Sequence, residues 1–382
     1  MSERSKKTVW VFAAASFLND MGSDMIYPVW PLFVSIVLGA PMTALGLIDG
    51  LGEALVSISQ AVSGYMSDRI RKRKVFIWTG YLCGSIARVG YAFSSIWQQL
   101  IPFKILDRAG KMRGAPRDAL IADISTVTDR GKNFGILRAM DNLGAVCGII
   151  LCILLIERLG YTHLFLLAAL PSAVGALLIL ILIKEKRRQA GQSFKGMRLR
   201  DTSWNLRLFF LLSSVFALGS FSYSFLLLIA KDSGAGIGFV PVLYLIFTGS
   251  ASVSALPFGK LADYSGRKRV IMLSFILWGA VILIFILTRR FISTVLAFIL
   301  YGLHRGALEP VQKAFVSELA PEEYRASALG GFQMVVGLCN LPASLFAGLL
   351  WDTLGVSAPL YLSLSLTIIS MALLIFVKDS SE

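Results

Sequence analysis

Gly64-Tyr-Met-Ser-Asp68-Arg69-Ile-Arg71-Lys72-Arg73-Lys74 returns 195 positions later as Gly259-Lys-Leu-Ala-Asp263-Tyr-Ser-Gly266-Arg267-Lys268-Arg269. Each copy joins the end of one apolar run to the start of the next. The same offset carries Asp123 onto Glu318 and Arg130 onto Arg325. Four charged or glycine positions in register, about half of the 382 residues apart, mark an internal duplication.

Composition says what was duplicated. With 56% hydrophobic residues and 16% charged, the chain has too little polar surface to cover a water-soluble globule. Its mean hydropathy is +0.71. Apolar runs of about 20 residues, the length that crosses ~30 Å of hydrocarbon as a helix, follow one another with short polar breaks. The pattern predicts twelve spans: 9–36, 43–66, 75–96, 98–121, 134–156, 161–184, 207–230, 238–262, 270–289, 291–317, 327–350 and 356–377. The expected fold is an all-α integral membrane protein of two pseudo-symmetric six-helix bundles. The bundles would cover 1–184 and 207–382, joined by a basic linker over 185–206. That linker is too polar to fold alone. It reads as a plain tether or as a short helix lying on anionic lipid.

A net charge of +14 raises the possibility of nucleic acid, and the location of the charge argues against it. Arg4, Lys6, Lys7, the stretch from Arg69 to Lys74, Arg130, Lys132, the linker, Lys260 to Arg269 and Lys378 all fall on one side of a twelve-span topology. The opposite connections carry little beyond Arg158, Lys231, Arg289 and Arg290. This is the positive-inside asymmetry, and it predicts that both termini are cytoplasmic. The basic start followed by an apolar run imitates a secretory leader. The run continues through Asp20 and Asp24 to full span length, as a retained first helix would. Cys83, Cys147, Cys152 and Cys339 form no CxxC pair, and His163 and His304 stand far apart, so neither a metal site nor a cofactor is expected. GxSxG, Walker A and HExxH patterns are lacking, and no intramembrane acid has a His or Cys at catalytic spacing. An enzyme is therefore not expected.

Ionisable groups inside the spans locate the expected chemistry, because each costs ~3 kcal/mol or more at mid-bilayer unless it faces a partner or water. Asp20 and Asp24 in the first span, and Asp49 and Glu53 in the second, are spaced i, i+4 and share a helix face. Like charges that close favour a protonated carboxyl, which makes these four and Asp141 the proton-coupling candidates. The span 98–121 carries Lys104, Asp107, Arg108, Lys111, Arg113, Arg117 and Asp118, interrupted by Gly110, Gly114 and Pro116. It must face water or protein along most of its length. Asn19, Arg88, Arg108 and Arg113, with His304, Arg305 and Glu309 in the second half, are the substrate-binding candidates. The cations favour an anionic or zwitterionic small molecule, unless neighbouring acids neutralise them. Gly46, Gly50 and Ala54, and Gly144 with Gly148, form small-residue stripes for close helix approach. Pro28, Pro31, Pro257 and Pro342 are expected kinks, and Trp30, Trp97, Trp204 and Trp351 are expected interfacial anchors.

Glycine, three residues, aspartate and a basic residue, then glycine and two basics in the second copy, resembles the signature loop of the major facilitator superfamily. NDMGSDMIYPVWPLF, GLIDGLGEAL, DRAGKMRGAPRDALIAD and ASLFAGLLWD resemble a bacterial subgroup of it with unassigned substrates. Two departures stand out: Arg71 in place of the second glycine of the first loop, and Met112 directly after Lys111. The resemblance implies a secondary transporter of a bacterial inner membrane that works by alternating access, and a monomer is expected. It implies that Gly64, Asp68, Arg69, Lys72, Arg73, Asp123 and Arg130 form one cytoplasmic gate, with Asp68 against the start of the eleventh span. Gly259, Asp263, Gly266, Arg267, Lys268, Glu318 and Arg325 would mirror them. Multidrug efflux is an alternative, disfavoured by the missing GPxxGG pattern in the fifth span. A carrier-like membrane sensor is another.

Overall fold

The computed structural model describes residues 3–70, 72–126, 129–183, 185, 203–231, 236–288, 290–321 and 324–378. Most of the linker at 185–206 and Arg71 lie outside the described residues. So do the side chains of Asp68 and Arg130, whose backbones are helical. Among the described residues the regular structure is helical. In chain order it comprises α1 (Glu3–Asp24), α2 (Trp30–Leu32), α3 (Met42–Ile70), α4 (Arg73–Phe93), α5 (Leu100–Ala109), α6 (Gly114–Ile124) and α7 (Arg130–Leu182). There follow α8 (Trp204–Gly219), α9 (Tyr223–Ala230), α10 (Val240–Ser265), α11 (Arg267–Leu287), α12 (Phe291–Leu319), α13 (Arg325–Leu354) and α14 (Ala358–Ile375).

Eight described stretches are long and apolar enough to cross a membrane. One of them, Gly131–Leu182, holds two spans that meet at Gly160, where φ is +67°. The three spans below that threshold, α1, α4 and the α5–α6 pair, are those that carry Asp20 and Asp24, Arg88, and the Lys104–Arg117 charges. This is the twelve-span architecture expected.

Several spans are less regular than the pattern implied. The first is helical to Asp24, turns through Pro28, and resumes in α2 and a π-helical turn at Phe33–Val37. The span 98–121 is two helices joined by a 3₁₀ turn at Gly110–Arg113. The span 207–230 also divides, at Ser220–Ser222. Ser222 caps α9 there, accepting the Ser224 N–H at 3.3 Å. Pro257 and Pro342 lie within continuous helices.

The chain forms two compact units: Met1–Gly39 with Leu55–Ser193, and Ala40–Ala54 with Phe194–Glu382. The first thirteen residues of α3 thus group with the second unit. In the first unit α1 packs along α7. Gly144 and Gly148 allow this, since a Cβ on either would lie 2.3 Å and 2.2 Å from the carbonyl oxygens of Phe17 and Met21. Phe12, Ile77, Tyr81, Ile121 and Ile179 fill the core beside them. In the second unit the start of α3 packs on α13 in the same manner. A Cβ on Gly46 would stand 2.0 Å from the Ser344 oxygen, and one on Gly348 would stand 2.2 Å from the Met42 oxygen.

Candidate functional site

The duplicated loops come first, because their geometry corrects their alignment. α4 begins at Arg73 and α11 at Arg267, one residue out of step with the offset that relates Asp68 to Asp263. The helix-capping position is therefore Lys72 in the first loop and Gly266 in the second. Gly266 has φ +98°, a region that favours glycine. Lys72 has φ −134°, which any residue adopts. In this register Lys72 stands where Gly266 does, the first loop is one residue longer, and its capping residue does not take the left-handed conformation.

The ion pairs follow this structural register. Arg73 pairs with Asp123, and Arg267 meets Glu318 at 3.0 Å and Asp263 at 2.6 Å. Lys74 Nζ donates to the Leu180 carbonyl and Lys268 Nζ to that of Ile375, each at 2.7 Å. Arg325 Nε donates to the Ser317 carbonyl at 3.2 Å. Glu185, which the sequence did not single out, accepts the N–H groups of Arg73 at 2.7 Å and Lys74 at 3.1 Å, capping α4.

Inside the first unit, α1, α4, α5 and α7 gather most of the buried polar groups. Arg88 is buried and donates to the Ala168 carbonyl at 2.9 Å, the Ser23 hydroxyl at 2.7 Å, the Asn19 carbonyl at 3.3 Å and the Ser172 hydroxyl. Asn19 and Arg88, paired as substrate candidates, are thus in one network. Among the described residues neither Arg88 nor Arg113 has a carboxylate within ion-pair distance. Arg113 lies over the Tyr81 ring at 4.8 Å and donates to the Gly110 carbonyl at 3.0 Å. Lys104 sits 4.0 Å from the Trp30 ring centroid, and Arg108 sits 5.2 Å from that of Tyr27 and 3.7 Å from Asp107. Trp30 is consequently a buried partner of Lys104 and not an interfacial anchor. Trp204, 75% exposed, does have the exposure of one. Ser23, Tyr27, Trp30, Arg88, Lys104 and Asp107 help line a cavity of ≈ 10 Å³, room for about one water.

A second polar cluster joins α1, α6 and α7. Arg117 donates to the Ser16 hydroxyl at 2.5 Å and lies 3.7 Å from Asp141, which Arg138 approaches from its other side at 3.7 Å. Asp20 accepts from Asn19 at 2.9 Å and is near enough to act electrostatically on both Arg117 and Asp141. The buried oxygen of Asp141 is the one that faces Arg117, and the Ser16 hydroxyl lies beside that carboxylate.

In the second unit, Asp49 accepts the hydroxyls of Ser222 at 2.8 Å and Ser224 at 2.5 Å. Asp352 accepts the N–H groups of Met42 at 3.0 Å and Thr43 at 2.8 Å, and the Thr43 hydroxyl at 2.6 Å. Arg305 is ion-paired with Glu309, both partly exposed, and Glu53 acts electrostatically on Arg305. His304 is buried, its Nδ1 2.8 Å from the Ser274 carbonyl, with Phe216, Trp278 and Tyr301 around its ring. Phe247 stacks on Tyr301 at 4.3 Å and Tyr244 adjoins Phe247 at 5.8 Å, extending this aromatic wall. Asp352, Ser222 and Ser224 were not foreseen as site residues. Asp352 ends the ASLFAGLLWD stretch, but its partners come from a helix more than three hundred positions away.

A chain with twelve helical spans, a duplicated basic loop and charged clusters buried within the spans is a multi-pass membrane protein built as a solute carrier. It belongs to the Major Facilitator Superfamily, whose sequence profile matches residues 12–228 and 208–382. An MFS-type transporter of Methanocaldococcus jannaschii is 38% identical over 97% of this chain and 95% of its own length. Multidrug resistance protein 1 of Bacillus subtilis is 24% identical over 98% and 97%. The crystal structure of a bacterial homologue of the human lysosomal transporter Spinster, in an inward-facing and occupied conformation, superposes with a TM-score of 0.81. It is 12% identical, over 99% of this chain and 97% of that one.

Proposed function

We propose that this MFS protein is a secondary transporter that moves a small anionic or zwitterionic solute by alternating access, coupled to protons. It would lie in a plasma membrane with both termini cytoplasmic. The observation that carries the coupling is the gathering of acids around Arg117. Asp118 meets the guanidinium at 3.0 Å, Asp141 lies beside it and beside the Ser16 hydroxyl, and Asp20 acts on both Arg117 and Asp141. Asp20, Asp118 and Asp141 are three carboxylates around two cations, Arg117 and Arg138, and leave a negative charge that a proton can neutralise; a change in access to water would load or release it. Asp24, Asp49 and Glu53 are further candidates, of which Asp49 is engaged by two serines.

Arg88 and Arg113 support the substrate class. Both are buried with neutral hydrogen-bond partners; Asp107 acts on Arg88 only from beyond ion-pair distance, and a ligand carboxylate or phosphate would add a direct charged partner. Arg305, whose charge is answered by Glu309, contributes less to that reading. The Tyr244–Phe247–Tyr301 wall, with the named multidrug relative, favours a second reading in which lipophilic compounds are exported. A thermal-shift panel of carboxylates, phosphates, amino acids and lipophilic cations on purified protein separates the two, since a ligand of the folded state raises its melting temperature. Stabilisation by lipophilic cations alone overturns the anionic assignment. Binding without flux in proteoliposomes would instead make the protein a sensor.

A further inference from the structure

Asp352 stands two residues before the end of α13, and Asp68 stands two residues before the end of α3. A carboxylate in the last turn of a helix is disfavoured by that helix's own dipole. Such a position makes sense when the acid serves the N-terminus of another helix. Asp352 does so: its two oxygens take the first two backbone N–H groups of α3 and the Thr43 hydroxyl. These donors would otherwise be unpaired at the start of a helix. The contact is backed by the Gly46, Gly50 and Gly348 seam, in which backbone meets backbone, and deeper by Asp49 on Ser222 and Ser224. It lies at the opposite end of α3 from the duplicated loop, ~37 Å along the helix at 1.5 Å per residue.

We propose that Asp352 is a gating residue: its carboxylate latches the first turn of α3 to α13, and the latch is released once per transport cycle. This rests on the alternating-access reading above. The hydrogen bonds are exposed, so water can replace each of them as the helices part. Release frees residues 40–54 from α13, and the counterpart contact, Asp68 against the first turn of α13, is the one that the family resemblance implies for the opposite state.

The test places a cysteine in the seam. Ser344, buried and opposite Gly46, is changed to Cys in the full chain, and its labelling by a membrane-impermeant maleimide is followed in intact cells and in inside-out vesicles. The chain without this change corrects for the four native cysteines. Asp352→Asn should raise labelling about five- to tenfold, as loss of a helix cap would, from the face on which α3 begins and not from the other. Asp352→Glu, which keeps an acceptor carboxylate, should stay near the parent rate. Thr43→Ala, which removes one of the three donors and disturbs folding least, should give a smaller rise of the same sidedness. Unchanged labelling in both Asp352→Asn and Thr43→Ala overturns the latch. A rise from both faces also overturns it, because that is general loosening. A one-sided rise in a protein that moves no solute keeps the latch and removes the transporter reading.

Discussion

Arg117 lies 3.7 Å from Asp141 and donates at 2.5 Å to the hydroxyl of Ser16, so one half-buried guanidinium ties α6 to both α7 and α1. Asp20, four residues after Ser16, acts on the same pair. If these acids carry the proton, Asp141→Asn or Asp20→Asn should abolish flux driven by a pH gradient and leave counterflow exchange of preloaded solute measurable. Exchange needs no net proton movement. Loss of both activities would assign the pair to binding or structure. Full gradient-driven flux in both variants would move attention to Asp24 and Glu53.

The arginines with neutral partners make a prediction about ligand charge. Arg113→Gln should weaken binding of an anionic ligand several-fold, and Arg113→Lys should also be costly, because an ammonium lacks the planar two-pronged contact. Titration by ligand-induced thermal shift measures both. Unchanged affinity in Arg113→Gln would remove Arg113 from the site, and the same experiment on Arg305→Gln should show the smaller effect.

Gly46→Ala should destabilise the protein by about 1–3 kcal/mol, the usual cost of overpacking, because the added Cβ meets the Ser344 carbonyl, which belongs to a helix backbone. Gly249→Ala is the control. Its Cβ would meet nothing within 4 Å inside α10, and helix propensity alone should favour it by up to ~1 kcal/mol. Opposite shifts in melting temperature are the expected pattern, and equal shifts would contradict the seam.

The two loops should respond differently to the same backbone test. Gly266→Ala forces a side chain into φ +98° and should cost about 1–3 kcal/mol. Lys72→Gly, at a position already in extended backbone, should change stability by well under that amount. Comparable losses in thermal melts would mean that the loops share one turn conformation after all.

Glu185→Ala should loosen the start of α4 by about 1 kcal/mol, the typical value of a lost cap, since the N–H groups of Arg73 and Lys74 lose their acceptor. Hydrogen exchange of the 72–76 segment reads this directly. Faster exchange there, with little change in α11, is expected.

The membrane class, the twelve spans, the duplication and the family were all legible in the sequence, because each depends on local content. Run length reports hydrocarbon thickness, and a repeated loop reports duplication. The acids Asp20 and Asp141 were also legible, since an ionisable group inside an apolar run is conspicuous wherever it sits. Their convergence on Arg117 was not, because helix periodicity gives the face of one helix and not its neighbour. The same limit hid Asp352. An aspartate at a helix end looks like a solvated terminus until the start of α3 is set beside it. The breaks at Gly110–Arg113 and Ser220–Ser222 escaped as well, because a buried helix can divide wherever neighbours take up the freed backbone groups. Tertiary packing alone decided that Trp30 carries Lys104 and that Arg117 meets Ser16 and Asp141. Each of these depends on which side chains meet across helices, and no spacing along one chain segment specifies that.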